Sequence, residues 1–192
     1  MEKFSSSNER GFSLVETLVA TTIMTVALAS LAQLFLISTK SNQSARLTSV
    51  ASVLAQQKME QLRGLTWGFD TIGLPLSDNT SDLTVVPERP TGGPGLTPSP
   101  DGALRHNVDG YCDYLDASGQ SLGGGTNPPP DTVYIRRWSV EPLPTNPNNT
   151  LILQVMVTRW RSRGLADIEE AGGGRRLPDE ARIISVKTRK AS

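Results

Sequence analysis

The sequence predicts an α+β protein in which one long N-terminal helix, apolar in its first half and amphipathic in its second, packs on a small antiparallel sheet. Three observations carry this. From Phe12 to Arg63 there is neither glycine nor proline, whereas all 13 prolines fall after Gly64, and both residue types are costly inside a helix. An apolar run followed by an apolar stripe at helical spacing fills that stretch. Beyond Gly64, short β-type runs alternate with turn formers, as expected for strands packed on one face.

At about 1.5 Å per residue the 52 residues from Phe12 to Arg63 extend roughly 78 Å as one helix. The first part, to about Ile37, is long enough to span a bilayer. Between Arg10 and Lys40 its only charged side chain is Glu16. A carboxylate near the centre of a spanning helix costs about 2.5–3.5 kcal/mol, so something must compensate for it. An ordinary single-pass anchor would place Glu16 near the headgroups, a turn or so into the apolar run.

Character changes at Lys40-Ser41-Asn42-Gln43. Leu47, Val50, Ala51, Leu54, Ala55, Met59 and Leu62 then recur at helical spacing as one stripe, with Arg46, Ser49, Ser52, Gln56, Lys58, Glu60 and Arg63 placed mostly elsewhere. Such a stripe buries against a sheet.

Candidate strands follow at Leu83–Val86, Thr132–Val140, Leu151–Arg161 and Ala181–Thr188. The third is the clearest, because Leu151, Leu153, Val155 and Val157 alternate with Ile152, Gln154, Met156 and Thr158. Residues 141–149, Glu-Pro-Leu-Pro-Thr-Asn-Pro-Asn-Asn, read as a rigid hairpin loop, with Trp138 and Trp160 packing beside it. Residues 66–131 hold Gly/Pro-rich runs at 90–95 and 123–130 and little periodicity; a structureless loop this long is uncommon in a compact domain. Its bland reading is a mobile surface loop.

The residues Gly11-Phe12-Ser13-Leu14-Val15-Glu16 resemble the cleavage and methylation signature of type IV prepilins and the pseudopilins of type II secretion. A short hydrophilic leader ends in Gly, an aromatic residue and a small polar one follow, then two aliphatics and Glu. In that family a membrane aspartyl peptidase cuts after the glycine and methylates the new amino group, here that of Phe12. The resemblance implies a leader at 1–11, a transmembrane and assembly helix at 12–39, an amphipathic helix at 40–64, a variable loop region at 65–131 and an antiparallel sheet region at 132–192, together the pilin fold. It also implies that Glu16 neutralises the Phe12 amine of a neighbouring subunit, each charge alone being costly and the pair setting register.

The expected partners are prepilin peptidase, other pilin or pseudopilin subunits and the inner-membrane assembly platform. The expected location is the inner membrane, single-pass with the C-terminal domain in the periplasm, and then the pilus or pseudopilus. The run Leu54–Arg63 further resembles the corresponding helix of V-type minor pilins and I-type pseudopilins, which implies a structural minor subunit without enzymatic activity or cofactor. Two features depart from many pilins: the apolar half lacks a helix-bending proline, and Cys112 is the only cysteine, so no disulfide forms within the chain. Cys112, between Tyr111 and Tyr114, is expected to be buried.

Other chemistries are weak. Zero formal net charge argues against bulk nucleic-acid affinity. Residues 65–131 carry two basic and nine acidic side chains (−7) and residues 132–192 eleven basic and six acidic (+5), patches that attract within a fold or between subunits. Arg175 and Arg176 form a candidate partner patch. With Arg159, Arg161, Arg163, Lys187, Arg189 and Lys190 they could instead meet DNA phosphates, as in some uptake minor pilins; a solvated, charged strand edge is the simpler account. His106 with Cys112 lacks an oxyanion device. Asp109, Asp113 and Asp116 lack the spacing of a calcium loop, and no metal site is expected. The triple glycines at 123–125 and 172–174 read as loop tips.

Overall fold

A computed structural model of the chain describes residues 13–160 and 180–189. Helix α1 spans Leu14–Gly64. Seven strands follow: β1 (Trp67–Phe69), β2 (Pro75–Ser77), β3 (Cys112–Leu115), β4 (Ser121–Gly124), β5 (Tyr134–Pro142), β6 (Thr150–Arg159) and β7 (Ala181–Thr188). The observed class is the α+β arrangement of helix and antiparallel sheet that the sequence predicts.

The helix begins after Ser13, whose carbonyl accepts the Thr17 N–H at 3.1 Å. It ends at the first glycine after Phe12, with Arg63 in the last turn where a cation suits the helix dipole. The chain divides into two compact units at Gln43/Ser44. In the first, every described side chain is exposed. The hydroxyls of Thr17, Thr21, Thr22, Thr25, Ser30 and Thr39 each donate to a backbone carbonyl about one turn back. Polar groups are thereby satisfied inside the helix, as an apolar surrounding demands.

The second unit contains the rest of α1 and a five-stranded sheet of order β4-β3-β5-β6-β7, antiparallel throughout. Ala51, Leu54, Ala55, Met59 and Leu62 of the helix join Trp138 and Val140 of β5 and Leu151, Leu153, Val155 and Val157 of β6 in one buried core. Each fully buried aliphatic side chain contributes about 1.5–3 kcal/mol. The alternation read in β6 is the burial pattern seen: the odd-numbered residues face the helix, while Ile152, Gln154 and Met156 are half-buried on the other face. The hairpin at 141–149 is closed by Leu143 N donating to Thr150 O at 2.9 Å. Trp138 lies in the core, whereas Trp160 packs on a separate cluster of Cys112, Tyr114 and Ile135.

Several expectations are corrected. Lys58, placed off the apolar stripe from its charge, is fully buried on it. Leu83–Val86 is not a strand: the Asp82 carboxylate takes the Thr84 N–H at 2.9 Å and also its hydroxyl, and Leu83 turns into the core. The sheet reaches outside 132–192, since Cys112–Leu115 is its second strand and Ser121–Gly124 its edge. Its interior strands β5 and β6 start and end one or two residues from the expected limits, and β7, at the edge, matches.

Residues 66–131 are held by turns that carry little periodic signal. Asp78 accepts from Thr80 N, Ser81 N and the Ser81 hydroxyl, and its carbonyl accepts Leu96 N at 2.7 Å. Burial raises the Asp78 pKa, but these hydrogen bonds outweigh it and leave the carboxyl below its ordinary value. Gly95 has φ +51°, and a Cβ there would collide with the Asp78 carbonyl, so the loop closes around a residue without a side chain.

The tail strand is tied to the start of the domain. The Lys187 ammonium donates to the carbonyls of Arg63 and Leu65 at the end of α1. The Arg189 guanidinium donates to the carbonyls of Gly68 and Leu76 and stacks 3.6 Å from the centre of the Trp67 ring.

Candidate functional site

Glu16 lies in the first turn of α1, where the helix dipole favours a carboxylate by about 0.3–1 kcal/mol. That is a small fraction of the cost of burying it in hydrocarbon. Its surroundings are apolar: Leu14, Val15, Leu18 and Val19 are all exposed, Leu14 by 81%. Among the described residues Glu16 has no hydrogen-bond or ion-pair partner. The helix is long and apolar enough to cross a membrane and lies near the N-terminus. Gly11 and Phe12, the expected cleavage and methylation positions, lie outside the described residues, as do Arg175 and Arg176.

The second unit treats its buried carboxylate differently. Asp113 on β3 faces Arg136 on β5 in the strand register, and the guanidinium grips it with both prongs, Nε to Oδ1 at 2.9 Å and Nη2 to Oδ2 at 2.7 Å. The Lys58 ammonium reaches Oδ2 from the helix at 2.9 Å. It also donates to the Leu83 carbonyl and lies 4.5 Å from the centre of the Trp138 ring. Arg136 Nη1 donates to the Leu54 carbonyl at 3.0 Å. All three ionic side chains are fully buried. Burial pushes the Lys58 ammonium down to about 8; Asp113 pulls it back up and Arg136 adds to the fall. Two cations and one anion thus join helix, β3 and β5, the charged contacts fixing which helix face meets which strands. This joins the acidic 65–131 segment to the basic 132–192 segment inside the fold.

Sequence reasoning missed this cluster. Its signal was spacing: Lys58 is four residues after Leu54 and four before Leu62, on the stripe itself.

The remaining candidates are dispersed. Cys112 is fully buried, as expected; its thiol donates to the Gly125 carbonyl at 3.0 Å, and Tyr114 Oη donates to the same oxygen at 2.8 Å. Burial raises the pKa of this thiol, the opposite of an activated nucleophile. His106 is exposed and packs over Gly102. Of the three aspartates weighed for calcium, Asp113 belongs to the ion cluster, and Asp116 caps its own turn through Ser118 and Gln120. Among the described residues no group of three or more His, Cys, Asp or Glu gathers for a metal. Of the basic candidates, Lys187 and Arg189 bind the chain's own carbonyls, Arg159 is exposed at the end of β6, and Arg161, Arg163 and Lys190 lie outside the described residues.

Residues 6–32 match the family model of the prokaryotic N-terminal methylation motif. No curated protein and no solved structure matches the chain. The matched segment contains Gly11, Phe12, Glu16 and the first turns of α1. With a long N-terminal helix on an antiparallel sheet behind it, the motif supports a protein of the type IV pilin-like or pseudopilin-like class. Such a motif also carries the general expectation of processing by a peptidase and of assembly with other pilins, and the apolar helix suggests membrane anchoring.

Proposed function

We propose that the chain is a structural minor pilin or pseudopilin subunit. Prepilin peptidase cuts it after Gly11 and methylates Phe12. Residues 12–39 hold it in the inner membrane with the C-terminal domain in the periplasm. From there the assembly platform builds it into a type IV pilus, a pseudopilus or the initiating tip of either. The observation that carries this reading is Glu16, an exposed carboxylate in an apolar helix surface with no partner among the described residues, inside a methylation-motif match. A partner from outside the chain resolves its cost. The Phe12 amine of a neighbouring subunit, staggered by a few residues, supplies the opposite charge at the same depth. Arg175 and Arg176 are proposed as a patch for partner subunits.

The DNA-binding reading loses weight on a specific ground. Lys187 and Arg189, central to the basic tail, are engaged with the carbonyls of Arg63, Leu65, Gly68 and Leu76, and a phosphate would have to compete with those contacts.

The test is Glu16→Ala in cells. The variant should insert in the membrane at wild-type level, because it removes an insertion penalty, and should be depleted from assembled fibres in immunoblots of sheared material. Wild-type incorporation of Glu16→Ala would overturn the pairing.

A further inference from the structure

Adjacent on β5, Arg136 and Arg137 point to opposite faces of the sheet, and both are fully buried. Arg136 has acceptors for all three of its nitrogens. Arg137 has one: its Nε donates to Asn107 Oδ1 at 2.9 Å, while Nη1 and Nη2 are buried without a hydrogen-bond partner. No carboxylate among the described residues pairs with it. Opposite it on β3 stands Cys112, with Tyr114 two residues on. Burial raises the pKa of both the thiol and the phenol, so neither supplies a negative charge. Ser139, next on the same face of β5, also has a buried hydroxyl without a partner.

A guanidinium does not escape this by losing its proton. Water would satisfy its N–H groups and leave the buried charge uncompensated. The planar fork formed by Nη1 and Nη2 matches a group with two acceptor oxygens and a negative charge.

We infer that Arg137 is a receptor for a carboxylate, held on the face of β5 opposite the helix and covered by the Gly125–Thr126 turn. That turn is pinned by Tyr114 Oη and Cys112 Sγ on the Gly125 carbonyl and by Asn107 Nδ2 on the Thr126 carbonyl at 3.3 Å. Asn107 therefore bridges the receptor and its cover. The carboxylate comes from a small free acid or from an acidic side chain of a neighbouring subunit. The second source rests on the proposed assembly function; the first does not.

The experiment follows thermal unfolding of the full chain in detergent micelles, with sodium acetate titrated against sodium chloride at matched ionic strength. For wild type, Tm should rise by roughly 3–6 °C per tenfold step in acetate above the dissociation constant. Arg137→Met should be flat, and Arg137→Lys should respond weakly because an ammonium lacks the fork. Where Arg137→Met does not fold, the Arg137→Lys comparison decides. If the carboxylate belongs to a neighbour, the isolated wild type still responds to acetate because no neighbour fills its fork, and a folded Arg137→Met also co-purifies several-fold less with partner subunits. Mass spectrometry of Phe12 in that sample tells whether the subunit reading itself holds. No acetate response by the isolated wild type would overturn the inference.

Discussion

Two carboxylates in this chain are treated in opposite ways. Asp113, in the core between helix and sheet, is fully buried and held by Arg136 and Lys58 at 2.7–2.9 Å. Glu16, on the apolar half of the same helix, is exposed and has no partner among the described residues. A buried carboxylate needs charge and donors around it, and the second unit supplies both from its own residues. For an apolar helix that enters a membrane the need is equal, yet the described residues offer no partner nearby. The contrast divides the molecule into a part that pairs its buried carboxylate from within and a part that, in the proposed reading, is completed by a neighbouring subunit.

The largest effect follows from breaking the paired part. Asp113→Ala leaves Lys58 and Arg136 as two buried cations without an anion, and removing one partner of such a pair typically costs about 3–5 kcal/mol. Thermal unfolding should show a large fall in Tm. A variant as stable as the wild type would mean that the cluster is not buried in solution.

A smaller effect comes from Lys58. Its pKa in the fold is about 8 against an ordinary 10.5, so between those values the unfolded chain holds a proton that the folded one has released. Stability therefore rises with pH from about 8, by up to about 1.4 kcal/mol per unit. The penalty for burying the charged form is in full force below that window. Above about 9 the raised pKa values of Cys112 and Tyr114 act in the opposite direction. The clean observable is the difference from Lys58→Met, which should keep the Asp113–Arg136 pair and lack the rise between pH 8 and 9. Parallel curves for the two proteins would contradict the burial of a titrating lysine.

The two regions also differed in how openly the sequence displayed them. The helix limits followed from the lack of glycine and proline between Phe12 and Arg63, β6 from alternation and β7 from a short β-type run, because these signals are local. Lys58 and β3 were hidden for one reason. A lysine in an apolar stripe and an aspartate in a fully buried strand look like interruptions until the third member, Arg136, is brought to them by strand pairing. The turns of 66–131 were hidden because Asp78, Asp82 and Asp116 organise backbone through hydrogen bonds without any repeat. At the N-terminal site the situation was reversed. Glu16 stood out at once, because a single charge between Arg10 and Lys40 breaks an otherwise apolar run.

The central claim, that the incomplete part is a processed assembly helix, is tested most directly by the N-terminus of the mature protein. Mass spectrometry of chain purified from membranes and from sheared fibres should find it starting at an N-methylated Phe12, with residues 1–11 gone. Protein in assembled material that still begins at Met1, or that begins at Phe12 with an unmodified amine, would contradict the account.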